Sequence, residues 1–125
     1  MLDSKMTYFF DTYAIIELIE GSLSYNKFQD FRIVTSVLNV GEVYTIFLRN
    51  DGKNKADEWF ENCNFDLLEI TPNVIVKAAY FRHVNRKKDI SITDAVGYSL
   101  SLQRKLKFLT GNMQFEKMPN VEFVK

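Results

Sequence analysis

Three carboxylates, Asp11, Glu42 and Asp94, lie in separate stretches of the chain, each beside a strand end or on a helix that the surrounding pattern predicts. Hard oxygen ligands that come from distant segments and converge on one point suit a divalent cation, and such a cation is the working part of a metal-dependent nuclease. Each acid also has a plain structural reading. Asp11 precedes a helical pattern, where its side chain would be an N-cap accepting a backbone N–H bond. Glu42 has Leu38 and Ile46 one turn to either side, so it interrupts an apolar stripe. Burying it unpaired would be costly, whereas tilting to water or pairing with Arg49 would not. Asp94 falls in the first turn of its predicted helix, where negative charge gains about 0.3–1 kcal/mol from the macrodipole. On local context alone, both readings stay open for all three acids.

The elements that must position these side chains can be read in order. Met6 to Phe10 is a short apolar run ending at Asp11, with Ile15, Ile16 and Ile19 at helical spacing behind it, which predicts a strand turning into a helix. After Gly21, a short helical segment around Tyr25 to Phe31 leads to a brief buried strand at Arg32 to Val34. Thr35 or Ser36 then caps a helix over Val37 to Leu48, stopped by Asn50, Asp51 and Gly52. A further helix runs from Lys53 to about Glu61. Phe65 to Ile70 reads as a strand, Thr71 and Pro72 as a turn, and Val74 to about Val84 as a helix with Ile75, Ala78 and Ala79 on its buried side. Asn85 to Asp89 is a polar loop, and Thr93 is placed to cap a helix from Asp94 to about Gln103. Strands are expected at Leu106 to Leu109 and Val121 to Val124. Strand and helix therefore alternate, which favours an α/β fold of three layers, a central parallel five-stranded sheet flanked by helices. In such a sheet, ligands gather at the carboxyl ends of the strands. Asp11 ends the first strand and Asn112 lies just beyond the fourth.

The 125 residues suit one domain, 1–125, and no Pro/Gly/Ser-rich linker, repeat or low-complexity tract divides them. With 46% hydrophobic residues, 11 Phe and 6 Tyr, a large aromatic core is expected. Sixteen basic and sixteen acidic side chains cancel, so any contact with nucleic acid must be local. Cys63 is the only cysteine, which excludes an intrachain disulfide and a Cys-based zinc site and favours a reducing compartment, the cytoplasm. Apolar stretches such as Val74 to Val76 are far shorter than the roughly 20 residues that span a bilayer. Met1 to Met6 carries Asp3 and lacks the long apolar segment of a signal peptide, so no membrane association or processing is expected.

Four short segments occur in a telling order. They are Tyr8-Phe9-Phe10-Asp11-Thr12, Thr35 through Glu42 to Val43, Ile90-Ser91-Ile92-Thr93-Asp94-Ala95, and Phe108-Leu109-Thr110-Gly111-Asn112 through Phe115, ahead of the closing strand Val121 to Val124. In order, spacing and context the sequence resembles PIN-domain proteins, particularly the short single-domain toxins of VapBC toxin–antitoxin modules, over nearly its whole length. The resemblance implies hydrolysis of RNA phosphodiester bonds supported by Mg²⁺ or Mn²⁺. It implies Asp11 and Asp94 as direct ligands, Glu42 as a ligand through water or a base that orients the nucleophile, and Asn112 as a peripheral ligand. It also implies an antitoxin protein as partner, and a homodimer. One departure stands out: the family's fourth motif usually has Asp where this chain has Asn112. An amide oxygen can coordinate a metal or hold its water, but it adds no negative charge. Glu116, one helical turn further on if that stretch is helical, is a candidate to supply it, against the plain reading of a solvated surface residue.

Thr12 and Thr110 are candidates to orient these groups, or simply turn residues. Arg82, Arg86, Lys87 and Lys88 before the Asp94 segment, and Arg104, Lys105 and Lys107 after its helix, are candidates to grip phosphates or merely solvate helix ends. His83 has no evident partner for triad or zinc chemistry, and Trp59, Phe60 and Cys63 read as packing residues. The alternative function is a PIN domain with weakened catalysis that acts as an RNA- or protein-binding module. A redox or dinucleotide-binding α/β protein ranks last, because the chain has no G-x-G-x-x-G, P-loop or C-x-x-C.

Overall fold

The computed structural model describes residues 7–125. Met6, expected to begin the first strand, and the rest of the Met1–Met6 segment lie outside these residues. The elements follow in the order β1 (Tyr8–Phe10), α1 (Thr12–Ile19), a 3₁₀ turn (Leu23–Phe28), β2 (Ile33–Thr35), α2 (Val37–Asp51), α3 (Lys53–Asn62), β3 (Phe65–Leu67), α4 (Pro72–Val84), α5 (Ile92–Arg104), β4 (Lys107–Thr110), a second 3₁₀ turn (Met113–Phe115) and β5 (Val121–Phe123). All strand pairs are parallel, and the sheet order is β3-β2-β1-β4-β5. The expected five-stranded parallel α/β sheet is thus present, with β1 at its centre.

Alternation along the short strands makes the three layers. Phe9 and Phe108 face one side, where they stack with ring centroids 6.0 Å apart and pack with Val96, Leu100 and Phe115 in one core. Phe10 and Leu109 face the other, against Ala14, Ile15, Tyr25, Phe28 and Val43. Successive side chains of a strand point to opposite faces, so two adjacent phenylalanines supply two separate cores.

Local chemistry sets the helix ends. Ser36, one of the two expected caps, accepts from the backbone N–H of Asn39, and α2 runs on to Asp51 before Gly52, at φ 88°, turns the chain into α3. Thr71 and Pro72 are the N-cap and first residue of α4 rather than a free turn, since proline's missing N–H costs nothing at that position. The cap of α5 is Ser91 and not Thr93. Ser91 accepts from the N–H of Asp94 while the Asp94 carboxylate accepts from the N–H of Ser91, a reciprocal capping box that leaves Thr93 inside the first turn. The expected buried side of α4 is also corrected. Val74 and Ala78 are buried and Phe81 packs against the core, whereas Ile75 and Ala79 are exposed. Apolar residues surround this helix on nearly every side, so spacing alone does not choose the face. β3 ends at Leu67, three residues short of the expected Ile70. No helix among the described residues is long and apolar enough to cross a membrane.

Gly97 on α5 is where a helix meets the sheet most tightly. A Cβ there would come within 2.8 Å of Phe9 Cε1 and 3.1 Å of Phe108 Cε1. Alanine favours a helix over glycine by up to about 1 kcal/mol, but overpacking a filled core costs roughly 1–3 kcal/mol. Both rings are fully buried and stacked on each other, so overpacking should win. Gly97→Ala should therefore lower the melting temperature. An unchanged or higher value would mean that the rings can yield.

Candidate active site

Because every strand is parallel, all carboxyl ends open on one edge of the sheet, and strand order reverses beside β1, where chain connections leave in opposite directions. Asp11 sits at that point. It is the N-cap of α1, with Oδ1 accepting from the N–H of Ala14 at 2.8 Å, and its Oδ2 accepts from the hydroxyl of Thr110 at the end of β4. The cap reading is therefore true, yet the side chain is only 2% exposed, which a surface cap is not. Burial pushes its pKa up from 3.8 to about 7; the bonds from Thr110 and Ala14 pull it down, and the charges of Asp94 and Glu42 push it up further.

Glu42 is half-buried on α2, and its Oε1 accepts from the Thr12 hydroxyl at 2.7 Å. Behind that bond stands a relay across the α1–α2 contact. Ser36 Oγ donates to Asn39 Oδ1 at 2.7 Å, Asn39 Nδ2 donates to Thr12 Oγ1 at 3.2 Å, and Thr12 directs its own proton to Glu42. Thr12 thus accepts from Asn39 and donates to Glu42, which fixes the direction in which the Glu42 carboxyl group points. Ser36 and Asn39 are buried. Sequence reasoning did not single out Asn39; its signal was a polar side chain one turn before Val43, on the inward face of α2. Glu42 forms no ion pair with Arg49 among the described residues.

Asp94 combines its capping-box role with a bond from Asn112, whose Nδ2 donates to Asp94 Oδ2 at 3.4 Å. Burial raises its pKa most; the bonds from Ser91 oppose this, and the charges of Glu42 and Asp89 add to it. Asn112 uses both ends of its amide. Its amide oxygen accepts from the N–H of Gln114 at 3.0 Å and so caps the second 3₁₀ turn, leaving the NH₂ side toward Asp94. Its backbone N–H donates to Thr110 Oγ1 at 2.9 Å, so Asn112, Thr110 and Asp11 form one chain of hydrogen bonds. Both threonines singled out from the sequence therefore contact the acids. Glu116 is exposed at the end of the second 3₁₀ turn, and His83 is exposed on α4. Burial pushes the Cys63 thiol up, away from the thiolate needed for nucleophilic chemistry.

None of the three acids has an ion-pair partner among the described residues, and no three His, Cys, Asp or Glu side chains there are grouped closely enough to hold a metal ion as they stand. What the structure assembles is a set of carboxyl groups in which the charges of Glu42 and Asp94 raise Asp11 and that of Glu42 raises Asp94, with no ion-paired cation among the described residues. Such oxygen donors fit a hard divalent ion, which would relieve both burial and repulsion.

The PIN domain family model matches residues 8–121 of the chain. No curated protein matches it by sequence. Among solved structures, the sarcin–ricin loop cleaving toxin VapC20 of Mycobacterium tuberculosis aligns with a TM-score of 0.75 at 16% identity, over 95% of this chain and 100% of that one. VapBC2 of Rickettsia felis, bound to a DNA fragment from its promoter, aligns at 0.71 and 14%, over 96% and 100%. A toxin–antitoxin complex of Klebsiella pneumoniae aligns at 0.69 and 17%, over 93% and 95%.

The buried Asp11 sets a pH dependence. Its folded pKa, about 7, lies above its ordinary 3.8. The stabilising effect of its protonated form is complete below the ordinary value and is lost as pH rises through about 7, to the extent of roughly 4 kcal/mol at most. In chelator, Asp11→Asn should therefore melt above the parent at pH 8, with a gap that narrows by pH 5. A gap that is constant with pH would show that Asp11 ionises freely.

Proposed function

The chain belongs to the PIN domain family, and from that premise we propose that it is a divalent-metal-dependent endoribonuclease, the toxin of a VapBC-type toxin–antitoxin pair. The observation that carries this reading is the uncompensated trio Asp11, Glu42 and Asp94 at the carboxyl edge of the sheet, two of them with raised pKa values in which the neighbouring acids take part. Burying such charges without countercharge is expensive and has no structural benefit that an amide could not provide.

Asp11, Glu42 and Asp94 would hold Mg²⁺ or Mn²⁺, with Asn112 at the edge; bound there, the ion would polarise the scissile phosphate and favour ionisation of the attacking water. The chain's own groups do the rest. The Ala14 N–H and the Thr110 hydroxyl fix both Asp11 oxygens, so that the carboxylate does not have to be ordered when substrate arrives. Thr12 fixes Glu42 Oε1 and leaves Oε2 to orient the water and accept its proton. Asn112 steadies Asp94 through its NH₂.

RNA as substrate class is supported by the structural likeness to a toxin that cleaves the sarcin–ricin loop, and an antitoxin partner by the likeness to two toxin–antitoxin assemblies. A homodimer and a cytoplasmic location complete the proposal. A second reading, a weakened PIN domain that binds RNA or protein, is favoured by one observation: the Asn112 oxygen is already engaged in capping.

Cleavage of a mixed structured RNA pool with Mn²⁺, Mg²⁺ or chelator decides between them. Metal-dependent cutting by the parent, lost in Asp11→Asn and Asp94→Asn, supports the nuclease. Binding without cutting under any metal moves the second reading ahead. Asn112→Asp should retain the cap on the N–H of Gln114 while setting a second negative charge against Asp94. It should lower stability in chelator and tighten Mn²⁺ binding in calorimetry. Unchanged Mn²⁺ affinity would remove Asn112 from the edge of the metal site.

A further inference from the structure

The C-terminal half of α4 and the loop that follows it line an open pocket of about 350 Å³ formed by Ala79, Arg82, His83, Arg86, Lys88 and Ile90. Three permanent cations and a histidine meet there without a carboxylate in the lining, and none of the three is ion-paired among the described residues. We propose that this pocket binds a phosphate of the RNA backbone next to the one that is cleaved, a role that rests on the nuclease reading above.

Two features distinguish the pocket from cations that merely neutralise a helix end. Its donors are pre-positioned yet largely unused. Arg82 Nε donates to the carbonyl of Ile90 at 2.9 Å and Arg86 Nη1 to that of His83 at 3.0 Å, one donor of the five each guanidinium carries. A fork held by one bond to backbone has already given up much of the freedom that binding an anion would take from it.

The pocket is also wired to the acids by two routes. Arg82 holds Ile90, and the adjoining Ser91 N–H donates to Asp94. Lys88 Nζ donates to the carbonyl of Gln114 at 3.4 Å, whose N–H is bound by Asn112, which in turn donates to Asp94. Asp89, the one acid of the loop, acts on Asp94 and does not line the pocket. A chain with equal numbers of basic and acidic residues has no global attraction for RNA, so a local site of this kind is what must supply it. Lys87, which the charge run alone includes, is not in the lining.

The test is anisotropy of a single-stranded oligoribonucleotide in chelator across a salt series, comparing the parent with Arg86→Gln, Lys88→Gln, the double variant and, as a control, Lys55→Gln on α3. Glutamine keeps a donor and removes the charge, and melting curves verify the fold. The double variant should bind several-fold more weakly, and the slope of log affinity against log salt should fall by about 0.7 for each phosphate that is no longer neutralised, with Lys55→Gln unchanged. Equal affinity and slope in folded double variant and parent would overturn the pocket and favour an acidic peptide as its occupant. Absence of cutting, with binding and slope still sensitive to the pocket, would defeat the nuclease alone, and a parent that binds no RNA would defeat both.

Discussion

Everything at the carboxyl edge of this sheet depends on keeping one carboxylate where water scarcely reaches. Asp11 is fixed by the backbone of its own helix on one oxygen and by a hydroxyl from the neighbouring strand's end on the other. Those bonds only partly offset the desolvation that raises its pKa. The residue therefore carries a standing cost in the folded chain, and the surrounding cores have to be good enough to bear it. That is why the strand leading to it is short, central and aromatic, with Phe9 and Phe10 each locked into a separate core on opposite faces.

The same constraint explains how the other acids are supported. Glu42 and Asp94 each come from a helix, α2 after β2 and α5 after α4, and each is held by neutral donors rather than by cations. Thr12, backed by Asn39 and Ser36, serves Glu42; Ser91 and Asn112 serve Asp94. Neutral donors orient a carboxylate without cancelling its charge, whereas an arginine would do both. The basic side chains are instead kept one step away, on the 85–90 loop and the end of α4.

How much of this was legible in the sequence follows from the range of each interaction. The strands and helices were readable because caps and apolar spacing are local; Ser36 and the stop at Gly52 fell within a residue or two of their expected places. Asp11 and Asp94 were readable as candidates from their position after strand-like or capping segments, and Glu42 from its interruption of an apolar stripe. The relay through Asn39 was not, since a bond between side chains 27 positions apart leaves no periodic trace. Nor was the buried side of α4, whose many apolar residues leave the choice to tertiary packing. The orientation of Asn112 escaped for a third reason: one amide can cap a turn with its oxygen and face an acid with its nitrogen, and only the surrounding donors decide which.

The pairing of β1 with β4 also has a consequence for the order in which the chain is made. Asp11 and Thr110 lie 99 positions apart. Ribosomes add about 5–20 residues per second, so on the order of 5–20 seconds pass between the synthesis of the acid and that of the hydroxyl that clamps it. Until β4 emerges, β1 has no neighbour on one side and its following helix caps a carboxylate still open to solvent. The centre is therefore assembled only after β4 has been made, and a ribosome-bound fragment lacking β4 and β5 holds the acidic residues without the geometry that makes them a site.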